Sequence, residues 1–168
     1  MKRLNKKIVF ITPSLATGGT EKIIMYLSTR MKQFGFETQL IVISGSEQNN
    51  YTPESLEITY LNKNKFRNAV VSLYKAVRKT KADILFSSVV HINLFLGLYK
   101  VIFPKIKCIV RISSIVSKSE KISNKNFIFK GFKNLILNNI DCFIYQSIDM
   151  KEDFKTVFPK ANVPYKII

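Results

Sequence analysis

The 168-residue chain contains one histidine and two cysteines, and these shortages exclude several kinds of site. One histidine cannot build the His/Cys clusters that hold zinc. A histidine-based triad would have to use His91, and no G-x-S-x-G elbow is present to supply the serine. Cys108 and Cys142 are far apart and lie in apolar runs. We therefore predict buried free thiols in a reducing compartment, and no disulfide framework.

The glycine motifs of the common nucleotide-binding folds are also missing. The sequence has no G-x-G-x-x-G, and its second predicted strand ends in Ser44-Gly45 without an acidic residue for a ribose. This excludes the dinucleotide-binding fingerprint. No Gly-Lys-Ser/Thr follows Gly18 and Gly19, which excludes a P-loop.

Acidic residues are scarce: 27 Lys+Arg stand against 11 Asp+Glu, for a formal net charge of +16. Such a surplus favours anionic partners, which include phosphates, nucleic acid and an acidic membrane face. A lysine-rich, solvated surface is the open alternative. No nucleic-acid reading motif accompanies the basic residues, so we expect no nucleic-acid partner.

Long hydrophobic runs are missing as well. The most apolar span, residues 84–103, is interrupted by Ser87, His91 and Lys100, which would be costly in a bilayer. It is better explained as a strand and a buried helix. Because the apolar run after the basic N-terminus is only about five residues long, we find no secretory signal. These features predict a cytoplasmic protein, with peripheral association at the inner membrane face as an extension.

Short apolar runs alternate with amphipathic segments along the whole chain. This alternation predicts a single α/β domain over residues 1–168, built on a Rossmann-like, doubly wound and mostly parallel sheet. The 118–130 segment is basic and poorly periodic and predicts a loop, as does 45–55. The predicted strands are 8–11, 38–44, 58–61, 83–87, 107–112, 141–146 and a strand-like run at 165–168; the predicted helices are one ending at Gly35, then 65–79, 91–103, 132–139 and 148–157.

Polar residues follow four of the predicted strands. In open parallel sheets ligands bind outside the carboxyl ends of the strands, so we expect these residues to share one edge. The first group, Gly18-Gly19, opens a helix whose free amides form an anion site. The others are Ser87-Ser88 with His91, Arg111 to Ser114, and Gln146-Ser147.

Four segments together resemble the family-four retaining glycosyltransferases, which have two facing Rossmann-like domains. ITPSLATGGTEKIIMYLSTRM resembles the family's opening, with two glycines and a glutamate at Gly18, Gly19 and Glu21. ADILFSSVVHINLFLGL is similar to a strand and helix in which His91, Asn93 and Leu94 match His-Ala-Asn-Leu. IVRISS and DCFIYQSIDMKEDFKTVFP resemble two later strands. The chain departs from the family at Ser88 and Ser114, where histidines are common.

The resemblance implies roles for these residues. Gly18 and Gly19 would hold backbone amides near the diphosphate of a nucleotide sugar, and His91 would orient the transferred sugar as the candidate catalytic residue. The other candidate donor- or acceptor-binding residues are Glu21, Ser88, Arg111, Ser114 and Ser147. No metal and no cofactor are implied, because the nucleotide-diphosphate sugar is a substrate. For each residue a structural role remains open: a tight turn, a core histidine, an Arg111–carboxylate pair, or a helix cap at Ser147.

In this family a second domain carries two glutamates separated by seven residues, and no such pair occurs here. We therefore expect the chain to be the N-terminal, acceptor-side half, without the nucleotide-sugar domain and inactive alone. The expected partners are a nucleotide sugar, a glycan or lipid-linked acceptor and an anionic membrane surface. The alternative is a non-catalytic Rossmann-like module that binds an anionic ligand or a partner protein.

Overall fold

The structure is a computed structural model that describes residues 6–15, 18–45, 56–117 and 127–168. Within these ranges lie seven strands and five helices. The strands are β1 (Lys7–Thr12), β2 (Glu37–Val42), β3 (Glu57–Tyr60), β4 (Ile84–Ser87), β5 (Lys107–Ile112), β6 (Cys142–Tyr145) and β7 (Tyr165–Ile167). The helices are α1 (Gly19–Gln33), α2 (Phe66–Thr80), α3 (Val90–Ile102), α4 (Phe127–Leu137) and α5 (Ile148–Val157).

All seven strands pair in parallel in one sheet of order β3-β2-β1-β4-β5-β6-β7. From β1 the chain adds β2 and β3 on one side. Helix α2 then leads back across the sheet to β4 on the other side of β1, where β5, β6 and β7 follow in order. This confirms the predicted doubly wound, Rossmann-like α/β fold. The inner strands are almost wholly buried, as their continuous apolar runs predict.

The two faces of the sheet carry different coverings. Right-handed crossovers put α1 on one face, because β1 and β2 run in one direction across the sheet. The other four helices belong to connections that run the opposite way and cover the other face. Phe10 and Phe86 pack with Ile24 of α1 in one core cluster. The larger cluster on the four-helix face includes Leu73, Leu96, Leu137 and Phe154.

Local signals set the helix ends. Gly35 has a φ of +90°, the left-handed conformation that glycine adopts without strain, and it follows α1 as predicted. Lys81 closes α2 in the same conformation. Ser147 caps α5, since its Oγ accepts a hydrogen bond from the Met150 amide at 3.2 Å.

Two sequence predictions need correction. Helix α4 begins at Phe127, so the predicted loop ends earlier than residue 130; residues 118–126 lie outside the described ranges. The periodicity of α2 predicts Val70 on its inner face, but Val70 is 37% exposed and Ala69 is buried. The other apolar positions of the helix do face the core, since Leu73 and Val77 are buried there. The predicted loop at 46–55 also lies outside the described residues.

Both cysteines are free, with Cys108 buried and Cys142 partly buried. Burial raises the pKa of the Cys108 thiol to about 12, so it is an unreactive core group at neutral pH. Among the helices of the described residues, none has the length and hydropathy needed to cross a membrane.

Candidate active site at the carboxyl edge of the sheet

The parallel sheet brings the four predicted groups to one edge. Gly18 and Gly19 follow β1, Ser88 follows β4, Ser113 and Ser114 follow β5, and Ser147 follows β6. Since every strand runs the same way, all of these positions lie at carboxyl ends. The predicted clustering at that edge is therefore confirmed; the roles of the residues remain predictions.

The start of α1 has no side-chain cap among the described residues. Gly18 is its N-cap with extended backbone. A Cβ at Gly19 would meet none of the described atoms within 4 Å. A Cβ at Gly18 would overlap the carboxylate of Glu21, whose side chain turns back over the helix start. Glycine at position 18 leaves room for this carboxylate, which the dipole at the N-terminus of the helix favours.

A row of polar side chains crosses the α1 face just at the carboxyl edge. Ile11 pairs with Ser87, and Ser87 pairs with Val110. One residue further along, the same register places Thr12, Ser88 and Arg111 side by side on adjacent strands. In the alternation of each strand these three belong to the α1 face, because Phe10, Phe86 and Ile109 pack in that cluster.

The polar row follows directly on an apolar one. Phe10 and Phe86 lie in the row below, with ring centroids 5.3 Å apart, and form a floor that excludes water. The Thr12 hydroxyl donates to the carbonyl of Ser14 at 3.1 Å. The Ser113 hydroxyl donates to the carbonyl of Ser88 at 2.9 Å and so ties the ends of β4 and β5 together.

Arg111 is only 3% exposed, and its Nη1 has no hydrogen-bond partner among the described residues. Ser88 is 2% exposed, and its hydroxyl is equally unpartnered. Burial lowers the pKa of the Arg111 guanidinium, but arginine stays charged in proteins. One alternative from the sequence is that Arg111 pairs with a carboxylate. Within the described ranges no carboxylate pairs with it. A buried, unpaired cation at a sheet edge is a costly arrangement that a ligand can relieve.

His91 is the second residue of α3 and is exposed at the same edge. Its ring packs against Phe66, the first residue of α2, with centroids 4.6 Å apart. This contact removes water from one side of the imidazole, and burial lowers the pKa of His91. At neutral pH the ring is therefore neutral and presents one donor and one acceptor, which suits sugar hydroxyls.

Asn93, two residues beyond His91, is a further polar residue of α3 that the sequence does not single out as a site residue. It is 1% exposed, and both Oδ1 and Nδ2 lack partners in the described part of the chain. A buried amide with neither hydrogen bond is rare in proteins. The available signal was an asparagine within the otherwise apolar stretch from Ile92 to Leu98.

The predicted serines differ in what their hydroxyls do. Ser114 is exposed to solvent, whereas Ser147 uses its hydroxyl as the cap of α5. Asp153 of α5 accepts hydrogen bonds from the amides of Val116 and Ser117, at 2.6 and 3.1 Å. These bonds dock the connection after β5 onto α5. No group of metal-ligating side chains occurs among the described residues.

No protein-family model and no curated protein sequence matches the chain. Solved structures do match. A glycosyltransferase from Rickettsia africae superposes with a TM-score of 0.70 at 15% identity, over 98% of this chain and 43% of that one. The lipopolysaccharide outer core galactosyltransferase WaaB gives 0.62 at 14% identity, over 90% and 42%. HepE from Anabaena, solved with UDP and glucose, gives 0.62 at 13% identity, over 98% and 44%.

The fold is that of one half of a GT-B glycosyltransferase. At these identities the likeness concerns the fold alone. The chain spans less than half the length of these GT-B proteins.

Proposed function

We propose that residues 1–168 form the acceptor-side half of a family-four glycosyltransferase, which moves a sugar from a nucleotide sugar to a polysaccharide or lipid-linked acceptor. The observation that carries the proposal is the match of nearly the whole chain to 43% of a glycosyltransferase. WaaB acts on the lipopolysaccharide outer core, and HepE was solved with UDP and glucose, which supports this substrate class.

In this proposal each residue has a role that its position allows. The open helix start at Gly18 and Gly19 supplies backbone amides to the diphosphate. The neutral imidazole of His91 orients the hydroxyls of the transferred sugar, and Asn93 lies one half-turn behind it. Ser114, which is exposed, lines the acceptor side of the cleft. Ser147 contributes through its position, because its hydroxyl caps α5. The proposal requires no metal and no cofactor.

Transfer requires a cleft that holds the donor and acceptor together and stabilises the departing diphosphate. We propose that one half of the cleft cannot do this and that these residues are inactive without a nucleotide-sugar half. The test compares the purified 168-residue chain with the same chain joined to the sequence that follows it in its gene. Nucleotide-sugar turnover is expected only for the longer protein. Turnover by the shorter chain would contradict the inactivity, and none by either would favour the non-catalytic binding module.

Peripheral binding to an anionic membrane is a finer part of the proposal. The net charge of +16 supports it, and so do exposed apolar side chains on α3 and α4. Those side chains are Leu98, Val101, Ile102, Phe132 and Leu135. Sedimentation with vesicles is expected to show binding to anionic lipid at low salt and little binding to neutral lipid. Equal binding to both would remove the electrostatic contribution.

A further inference from the structure

The carboxyl edge contains a buried positive charge that has no partner in the described structure. Arg111 lies between Val110 and Ile112, which are both buried in the core on the opposite face. Its guanidinium therefore enters the α1 side of the sheet, where the row below it is made of aromatic and aliphatic side chains. A buried charge of this kind is normally paired, because the loss of its hydration costs several kcal/mol.

The neighbouring hydroxyl is unsatisfied in the same way. Ser88 stands next to Arg111 in the register of β4 and β5, which lie about 4.8 Å apart as adjacent strands do. Its carbonyl accepts from Ser113, but its hydroxyl has no partner. A guanidinium and an unpartnered hydroxyl at adjacent positions of neighbouring strands together offer several hydrogen-bond donors. Such a donor set matches the oxygens of a phosphate group.

Two further features favour an anion over a neutral ligand. The α1 N-terminus, whose first amides no side chain caps, starts from the same edge and adds a positive dipole end. Glu21, the one acidic residue in the first turn of α1, places its carboxylate over the helix start at Gly18 and forms no ion pair with Arg111 within the described residues. The Arg111 guanidinium is therefore without a counter-ion among the described side chains.

We propose that Arg111 and Ser88 form a binding site for a phosphate group, carried either by the sugar donor or by the acceptor. The proposal deepens the function proposed above, because it names the charged group that the cleft takes. It predicts an unusual combination: removal of the Arg111 charge weakens ligand binding and does not weaken the fold. If Arg111 instead formed a stabilising pair within the protein, removal of its charge would weaken the fold.

The test is isothermal titration calorimetry of the 168-residue chain at fixed ionic strength. Pyrophosphate, UDP and farnesyl diphosphate are the probes, and glucose and farnesol are their uncharged controls. For at least one phosphate probe, Arg111→Met is expected to lower the affinity by about tenfold or more, and Ser88→Ala by a smaller factor. The matched control is Arg78→Met at the opposite edge of the sheet, where Arg78 is exposed and lies 5.2 Å from the centroid of Phe103. It should leave the affinities unchanged.

The probes also identify the source of the phosphate. Arg111-dependent binding of UDP alone assigns the site to the donor, and of farnesyl diphosphate alone to a lipid-linked acceptor. Absence of binding by all three phosphate probes would overturn the proposal, as would phosphate binding that persists in Arg111→Met.

The second measurement is the melting temperature without ligand. Arg111→Met is expected to melt at or above the temperature of the parent chain, and saturating pyrophosphate to raise only the parent's by roughly 5–10 °C. Glu21→Gln should leave the melting temperature nearly unchanged. A fall in the melting temperature of both Arg111→Met and Glu21→Gln would show that the two residues pair in solution and would overturn the proposal. Because binding is measured without turnover, its failure is distinct from failure of the transferase function.

Discussion

The two edges of the sheet differ in whether their charged side chains are paired. At the amino edge, Asp141 accepts hydrogen bonds from Lys100, from Lys107 at 3.0 Å and from the Cys108 amide at 2.8 Å. The Lys7 amide donates to Asp83 at 2.7 Å, and its ammonium lies 2.6 Å from Glu37. At the carboxyl edge, the described residues leave Arg111 buried and unpaired.

This difference separates structural polar groups from candidate ligand-binding ones. Groups at the amino edge satisfy one another and hold the starts of neighbouring strands in register. At the carboxyl edge Arg111 and Ser88 are held in place by the same strands but lack partners among the described residues, which costs stability unless a ligand binds. A protein with marginal stability retains such costs mainly at functional sites.

One cleft of the described residues lies at the opposite edge of the sheet. It has a volume of about 290 Å³ and lies between the C-terminal ends of α2 and α3 at the amino edge, where Arg78, Tyr99 and Phe103 help to line it. Ligands of open parallel sheets bind at the carboxyl edge, where Arg111 and Ser88 lack partners among the described residues. The chemistry of these two side chains, and not the volume of this cleft, supports the proposed site.

The largest expected effect is at the paired edge. Asp141→Asn leaves Lys100, only 15% exposed, without its counter-ion, and should lower the free energy of unfolding by about 3 kcal/mol in urea denaturation. Asp149→Asn, at an exposed position in the first turn of α5, is the matched control and should cost less than about 1 kcal/mol.

The effect of Asp141→Asn should also depend on pH. Burial by itself would raise the pKa of Asp141, but hydrogen bonds from Lys100, Cys108 and Lys107 outweigh it and lower the pKa below its ordinary value. The stabilisation is thus fully present above about pH 4, the unfolded pKa, and is lost as the pH falls through the folded value. The difference between the parent and Asp141→Asn should shrink in acid. A constant difference down to pH 2 would contradict this ion-pair account.

A smaller effect compares two glycines, one inside the fold and one at the open edge. A Cβ at Gly97 in α3 would lie 2.5 Å from the carbonyl oxygen of Ile136 in α4, so Gly97→Ala must separate α3 from α4. We expect a loss of about 2 kcal/mol in unfolding free energy. Gly19→Ala meets open space and should change stability by less than about 0.5 kcal/mol. Equal losses would show that the start of α1 is as tightly packed as the core.

The next smaller effect is a difference in stability between alanine variants of two candidate ligand-binding serines, Ser147 and Ser114. Ser147→Ala removes the cap of α5 and is expected to cost about 1 kcal/mol in thermal or urea unfolding. Ser114→Ala removes an exposed hydroxyl and should have no measurable effect on stability, although it should weaken acceptor binding if the proposed role is correct. A stability loss at Ser114 as large as that at Ser147 would contradict this division.

The smallest effect concerns His91, the only histidine of the chain, whose NMR signal needs no further assignment. Because burial against Phe66 lowers its pKa, we expect an NMR titration midpoint below about 6.5. Its contribution to stability is present above that pH and is lost as the pH falls through the folded pKa. Phe66→Leu should move the midpoint back toward 6.5, and an unchanged midpoint would remove Phe66 as the cause.

Local patterns in the sequence determined the order and type of the elements. Continuous apolar runs marked the buried strands, Gly35 marked the end of α1, and Ser147 marked the start of α5. The doubly wound topology followed from their alternation, and the shared carboxyl edge followed from the parallel strands. These inferences succeeded because each depends on residues that are close to one another in the sequence.

The state of each polar group was decided only in the tertiary structure. Nothing near Asp141 in the sequence indicates Lys100, which lies 41 residues earlier and reaches it because α3 and the start of β6 meet at the amino edge. Nor does the segment around Arg111 show that it is buried without a partner, since that depends on which strands flank β5. Burial and partnership of charge arise from long-range packing, and they distinguish the edge that stabilises this fold from the edge proposed to bind its ligand.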